Sequence, residues 1–248
     1  MKNLIKILRY DLTVSQILLQ IVVNGILTVL LYYLIFLGYE TDFINYQRLG
    51  GNIFIFPNII TFIMILHTIL FSFYFLNRLF EDSAYTMNFT TIGISQFALF
   101  WGNISLCLIY EILTVLVTAF ILFIISGITF PVLSVLGFFG YLLISALMIT
   151  LLISLINHMI KNNKFIQTTL IYFLIILSLM SYFLFPAGVF SYPIYTLFKY
   201  LPFSIIFETG ADLLLNNQIS LVGILYVSVF TITLILINQI FYKKELSK

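Results

Sequence analysis

Six uninterrupted apolar stretches, each about 20 residues long, restrict this chain more than any other feature of its sequence. They lie at roughly 17–37, 53–76, 103–126, 131–156, 165–185 and 219–241. A helix rising about 1.5 Å per residue needs about 20 residues to cross a hydrocarbon core about 30 Å thick, so each stretch suits one crossing. The runs are continuous and do not alternate as the wall of a β-barrel would. Composition agrees: 62% of the 248 residues are hydrophobic and 8% charged, where a soluble domain carries about 25% charged residues. The expected fold is an all-α membrane protein with six transmembrane helices. There is no visible internal repeat and no Gly/Ser-rich or Pro-rich linker, so residues 1–248 read as one domain and an inverted-repeat architecture gains no support.

Cations set the expected orientation. With the N-terminus inside, Lys2, Lys6, Arg9, Arg78, Lys161, Lys164, Lys243, Lys244 and Lys248 are cytoplasmic, and only Arg48 and Lys199 fall outside. Both termini are then cytoplasmic. The first 16 residues lack the cleavage site of a signal peptide and lead into a full-length span, so the first helix is expected to stay as an anchor. The link Gly127 to Phe130 between the third and fourth spans is short enough to force a hairpin of two helices packed side by side.

Four segments are more than simple spans. In Met1 to Gln16, Lys2, Lys6 and Arg9 share one narrow helical arc opposite Leu4, Ile5, Leu8 and Leu12, which suits a helix lying flat at the interface; a plain basic topogenic tail is the alternative. The connection from Asn77 to Gly102 is too polar for hydrocarbon, yet it has the makings of a short amphipathic helix. Ser83 can cap its start, Gly93 can end it in the left-handed conformation, and Ser95 can cap the next helix. Between Pro186 and Gln218, prolines and glycines isolate Ile194 to Leu201 and Phe203 to Leu215, each apolar but too short to cross, so re-entrant or surface-lying helices are expected at the outer end. The basic turn Asn157 to Lys164, with His158, Lys161 and Lys164, is either a second cytoplasmic contact surface or positive-inside anchoring.

Polar groups inside the spans mark the candidate pathway. Asn103, Cys107, Glu111, Thr114 and Thr118 recur at three- and four-residue intervals and share one face of the third span. Glu111 lies about 12 Å along that span, where a carboxyl needs a partner, water or a proton and should not face lipid. The stripe either lines a cavity or joins helices by hydrogen bonds. His67, alone in mid-span, reads as a hydrogen-bonded packing residue rather than a metal or proton site. The charge of +2 is too dispersed for nucleic acid, and the single cysteine excludes a disulfide framework. No GxSxG, HExxH or Walker loop occurs, so the chain is expected to be no enzyme and to hold no cofactor of its own.

These residues carry a resemblance. Glu81-Asp82-Ser83-Ala84-Tyr85-Thr86 followed by Thr91-Ile92-Gly93-Ile94-Ser95 resembles the cytoplasmic coupling segment of ABC exporters of the ABC-2 type, with Gly93 where proline is usual and Gly102-Asn103 in place of Gly-Lys. Tyr200-Leu201-Pro202-Phe203-Ser204 with Glu208 to Leu214 is similar to the family's outer re-entrant segment, and Phe241-Tyr242-Lys243-Lys244-Glu245-Leu246 to its basic cytoplasmic end. The resemblance runs over nearly the whole chain. It implies a permease subunit of the cell membrane that pairs with a second copy or a related permease, each seated on a cytoplasmic ABC ATPase that binds the ATP and Mg. It also implies that Arg78, Glu81, Asp82, Tyr85, Thr86, Met87, Phe89 and Ile92 receive the ATPase's push.

The 27 Phe and 16 Tyr suit amphipathic or lipid-like cargo, although codon bias in an AT-rich genome would enrich the same residues. The nearest resemblance is to short permeases of Gram-positive bacteria that export phenol-soluble modulins or confer immunity to lantibiotics and bacitracin, which implies an amphipathic peptide substrate. The rival is a secondary transporter or channel using Glu111 at membrane depth.

Overall fold

A computed structural model describes residues 19, 22–23, 25–34, 51–81, 91, 93–127, 130–160, 163–181, 200–216, 218 and 220–246. The described residues are helical throughout, with turns and caps between helices and no strand. In chain order the helices are α1 (Gly25–Leu34), α2 (Gly51–Glu81), α3 (Gln96–Ser126), α4 (Val132–Met159), α5 (Lys164–Met180), α6 (Pro202–Ala211) and α7 (Leu221–Leu246).

Four of them carry a stretch long and apolar enough to cross a membrane: Phe56–Leu76, Phe97–Ile125, Val132–Met159 and Leu221–Phe241. They correspond to the second, third, fourth and sixth apolar runs. Of the first run, Gly25–Leu34 is described as an apolar helix, and the fifth appears as the shorter apolar helix Lys164–Met180; at 17 residues, α5 spans about 25 Å.

The helices overrun the apolar stretches that announced them. α2 continues through Glu81 and α3 already begins at Gln96, so residues 77–81 and 96–102 of the connection read as Asn77 to Gly102 are helical. The reason is that helix continuation depends on backbone hydrogen bonds, which polar residues sustain as well as apolar ones, whereas hydropathy marks only where lipid ends. At the far side of this bridge Thr91 is helical and Gly93 takes φ 82°, a left-handed conformation that glycine adopts without steric penalty. Ser95 then caps α3, its hydroxyl oxygen accepting from the Ala98 N–H at 3.2 Å. Ser83 and residues 84–90 lie outside the described residues, as do the N-terminal segment Met1 to Gln16 and Ile194 to Tyr195 with the rest of 182–199.

α2 is the central helix. Of its most apolar window 72% is buried, against 33% for α3 and 28% for α7. α3 and α4 both pack along it, and more extensively than they pack on each other. The hairpin therefore has its two arms leaning on a common post rather than fully side by side. It turns at Gly127, φ 62°, whose N–H closes on the Phe123 carbonyl at 3.0 Å, and Phe130 beyond the turn packs on Phe56 of α2 with ring centroids 5.0 Å apart.

α6 begins with Pro202 in its first turn, where a missing N–H costs nothing, and continues into a five-residue π-helix, Asp212–Asn216. Together they are too short to cross a membrane, yet Phe203, Ile206, Phe207, Leu213 and Leu214 are buried among α2, α4 and α7. Such a broken segment is tolerated at membrane depth when protein covers it. The approach to α7 is close enough that Gly223 has Thr209 where a Cβ would stand.

Candidate functional site

Five polar side chains of α3 form its inner face. Asn103, Cys107, Glu111, Thr114 and Thr118 are all buried, each at most 1% exposed. Lipid-facing residues of the same helix, Ile112, Leu116, Phe120 and Phe123, are exposed, so the helix separates a polar side from an apolar one. Asn103 spends its amide on its own helix, Nδ2 donating to the Leu99 carbonyl at 2.9 Å, and Thr118 faces Thr28 of α1 across 3.5 Å.

The middle of the stripe meets polar groups from two other helices. Ser72 of α2 donates to Thr150 Oγ1 of α4 at 3.0 Å, and Cys107 sits against Ser72. One turn further on, Thr68 of α2 lies beside Glu111. These are hydroxyls that can accept as well as donate, which is what a knot of three packed helices needs at this depth.

Glu111 is the middle residue of α3, about 22 Å from either end of the helix. It lies nearer the middle of the helix than its place in the apolar run suggested, because α3 starts well before that run. It is fully buried, and neither carboxyl oxygen has a hydrogen-bond partner. Thr68 is close, but its hydroxyl proton goes to the Met64 carbonyl at 2.7 Å. An ionised carboxylate left so is far too costly in a low-dielectric interior; the group needs a proton or a cation. No group of three metal-ligating side chains occurs among the described residues.

His67 departs from its expected role. Its Nδ1 has no hydrogen-bond partner, and the ring instead stacks on Phe71 at 5.4 Å, which in turn stacks on Tyr110 of α3 at 5.1 Å. Packing, not hydrogen bonding, holds it.

A second buried polar cluster joins the other ends of α4, α5 and α7. Asn238 of α7 accepts from Ser154 at 2.9 Å and donates to the Leu151 and Leu234 carbonyls at 3.1 and 2.9 Å. Gln167 of α5 reaches the Asn157 carbonyl at 3.4 Å, while the Asn157 side-chain amide and Gln167 Oε1 have no partner. His158 packs its ring on Phe241 at 5.3 Å, and Lys164 opens α5 on the exposed side; Lys161 lies outside the described residues.

Of the residues that the resemblance assigns to coupling, Arg78 and Glu81 belong to the last turns of α2. Asp82, Tyr85, Thr86, Met87, Phe89 and Ile92 lie outside the described residues.

Thr68, Ser72 and Thr150 were not among the sequence candidates. Thr61, Thr68 and Ser72 recur on one face of α2 at helical spacing, a signal as good as that on α3. Comparison with family models, curated proteins and solved structures gives no match.

Proposed function

We propose that this chain is the membrane-spanning permease of an ATP-driven exporter of the ABC-2 type, with six spans and both termini in the cytoplasm. It works beside a second copy or a related permease, each on a separate ATPase, and moves amphipathic or hydrophobic peptides out of a bacterial cell. The observation that carries the reading is the joint at the end of the cytoplasmic bridge. Gly93 in the left-handed conformation and the Ser95 cap lead directly into α3. A push on the bridge from a nucleotide-driven partner is therefore passed to the helix that bears Glu111, rather than lost in a loop. The broken α6, buried among the spans near their outer ends, gives the far side of the same machine a movable plug.

A second reading, a secondary transporter or channel, draws support from the unpaired Glu111 carboxyl at mid-depth. One set of measurements separates the two. For the exporter, the chain co-purifies with an ATP-binding subunit, and the double change Glu81→Ala and Asp82→Ala lowers coupled ATP hydrolysis and peptide efflux while membrane insertion stays intact. Cargo movement by the chain alone in ATP-free liposomes would replace the exporter with the second reading.

A further inference from the structure

Glu111 stands in the middle of α3, its side chain fully buried and neither carboxyl oxygen partnered. α2 faces it with Met64 and Thr68, and α4 with Phe139, Leu142 and Ala146, none of which titrates. The space beside it, about 90 Å³, is otherwise apolar and offers a water molecule too few partners to be held. On α3 itself the titratable neighbours are Cys107, which sits against Ser72, and Tyr110, whose ring stacks on Phe71. His67 of α2 also turns its ring to Phe71, and Tyr141 of α4 reaches the Ile205 carbonyl of α6 at 3.4 Å. None of these contacts is with the carboxyl. No lysine or arginine occurs between Arg78 and Lys161, nor in the crossing stretch of α2.

Hydrogen-bond direction narrows the choice of what neutralises the group. The Met64 carbonyl can only accept, so its 2.7 Å contact with Thr68 Oγ1 fixes the hydroxyl proton there. Thr68 therefore has lone pairs to offer Glu111 and no proton. A carboxylate would set its own lone pairs against them; a carboxylic acid would not. A metal cation would neutralise the charge equally well, but such ions take several ligands. No group of three His, Cys, Asp or Glu side chains lies together among the described residues. A proton needs a single oxygen.

We infer that Glu111 is a proton-binding site: in this arrangement of α2, α3 and α4 it is held as the neutral carboxylic acid, and its ionisation is incompatible with their close packing. Losing the proton would leave a bare anion among apolar side chains, and the seam must then part to admit water. α3 bears the carboxyl and packs on both α2 and α4, so the loosening belongs there. Such a latch operates whether or not an ATPase is attached.

Infrared difference spectroscopy of the full chain in nanodiscs reads the site directly. At about pH 7, where ordinary carboxyls are ionised, the wild type is expected to show a carbonyl band above the amide region that moves down in heavy water. Glu111→Gln, a neutral side chain of the same shape, is expected to lack it. Glutamate labelled with heavy carbon at its side-chain carboxyl should shift the band in the unmutated chain, since Glu40, Glu81, Glu208 and Glu245 all lie outside the crossing stretches. No band in the wild type, or one that labelled glutamate or Glu111→Gln leaves unchanged, would overturn the assignment. Raising the pH until the band disappears should speed amide exchange in the middle of α3 by about tenfold or more in the wild type and not in Glu111→Gln. Thiol, tyrosine and lysine titrations are common to both proteins and cancel. Equal acceleration in the two would overturn the latch. A band that survives until the chain unfolds supports it, because the proton then leaves only when the packing does. No ATPase takes part, so either result leaves the exporter reading where it stands.

Discussion

Replacing Gly223 by alanine tests how α6 is seated against α7. A Cβ at that position would overlap Thr209 Oγ1 and come within 3.0 Å of Thr209 Cβ and 3.1 Å of its Cγ2. Thr209 cannot easily yield: it is β-branched, and at 2% exposure it has no free space to swing into. The start of α7 must then move away from α6, and the overpacking should cost about 1–3 kcal/mol. Thr209→Ala removes Oγ1 and Cγ2 but leaves the Cβ contact at 3.0 Å, so on the Gly223→Ala background it should recover most of the loss and not all. The coupling between the two changes should be favourable by about 0.5–3 kcal/mol, the range for residues in direct contact. Gly140→Ala is the control, since a Cβ there meets nothing within 4 Å and alanine is the better helix former. Reversible unfolding in mixed micelles, followed by circular dichroism, measures all four proteins. The close approach is refuted if Gly223→Ala lies within about 0.3 kcal/mol of wild type, or if the two single changes simply add.

Other changes probe other joints. Asn238→Leu leaves the Ser154 hydroxyl and the Leu151 carbonyl without their partner and should cost about 1 kcal/mol in the same unfolding assay; no loss would mean that α4 and α7 are not tied there. Gly93→Ala forces a side chain into φ 82° and should cost about 1–2 kcal/mol locally, read as faster amide exchange at the start of α3, and Ser95→Ala should add about 1 kcal/mol by removing the cap. Glu111→Met removes an unpartnered carboxyl in favour of an apolar chain of similar length, so stability should rise by about 1–3 kcal/mol. A fall in stability would instead place Glu111 in a structural hydrogen-bond network.

Much of the architecture was legible because lipid imposes so plain a pattern. Apolar runs located α2, α3, α4 and α7, and the recurrence of Asn103, Cys107, Glu111, Thr114 and Thr118 identified the buried face of α3. Periodicity of this kind says which residues share a face, but it is silent about which faces meet. That is why Thr68, Ser72 and Thr150 escaped notice although they complete the knot around Cys107 and Glu111. The same gap concealed the contact of Gly223 with Thr209, a pairing between residues on different helices that leaves no trace in either helix alone.

The position of Glu111 along α3 shows that helix ends and apolar runs mark different limits. Counted from the edge of its apolar run, the residue sits well short of the middle; counted from the true start of α3 at Gln96, it is the middle. The difference arises because Gln96 to Gly102 extend the helix beyond the apolar run read from hydropathy. A displacement at Ser95 therefore moves Glu111 with the same helix, about 24 Å away.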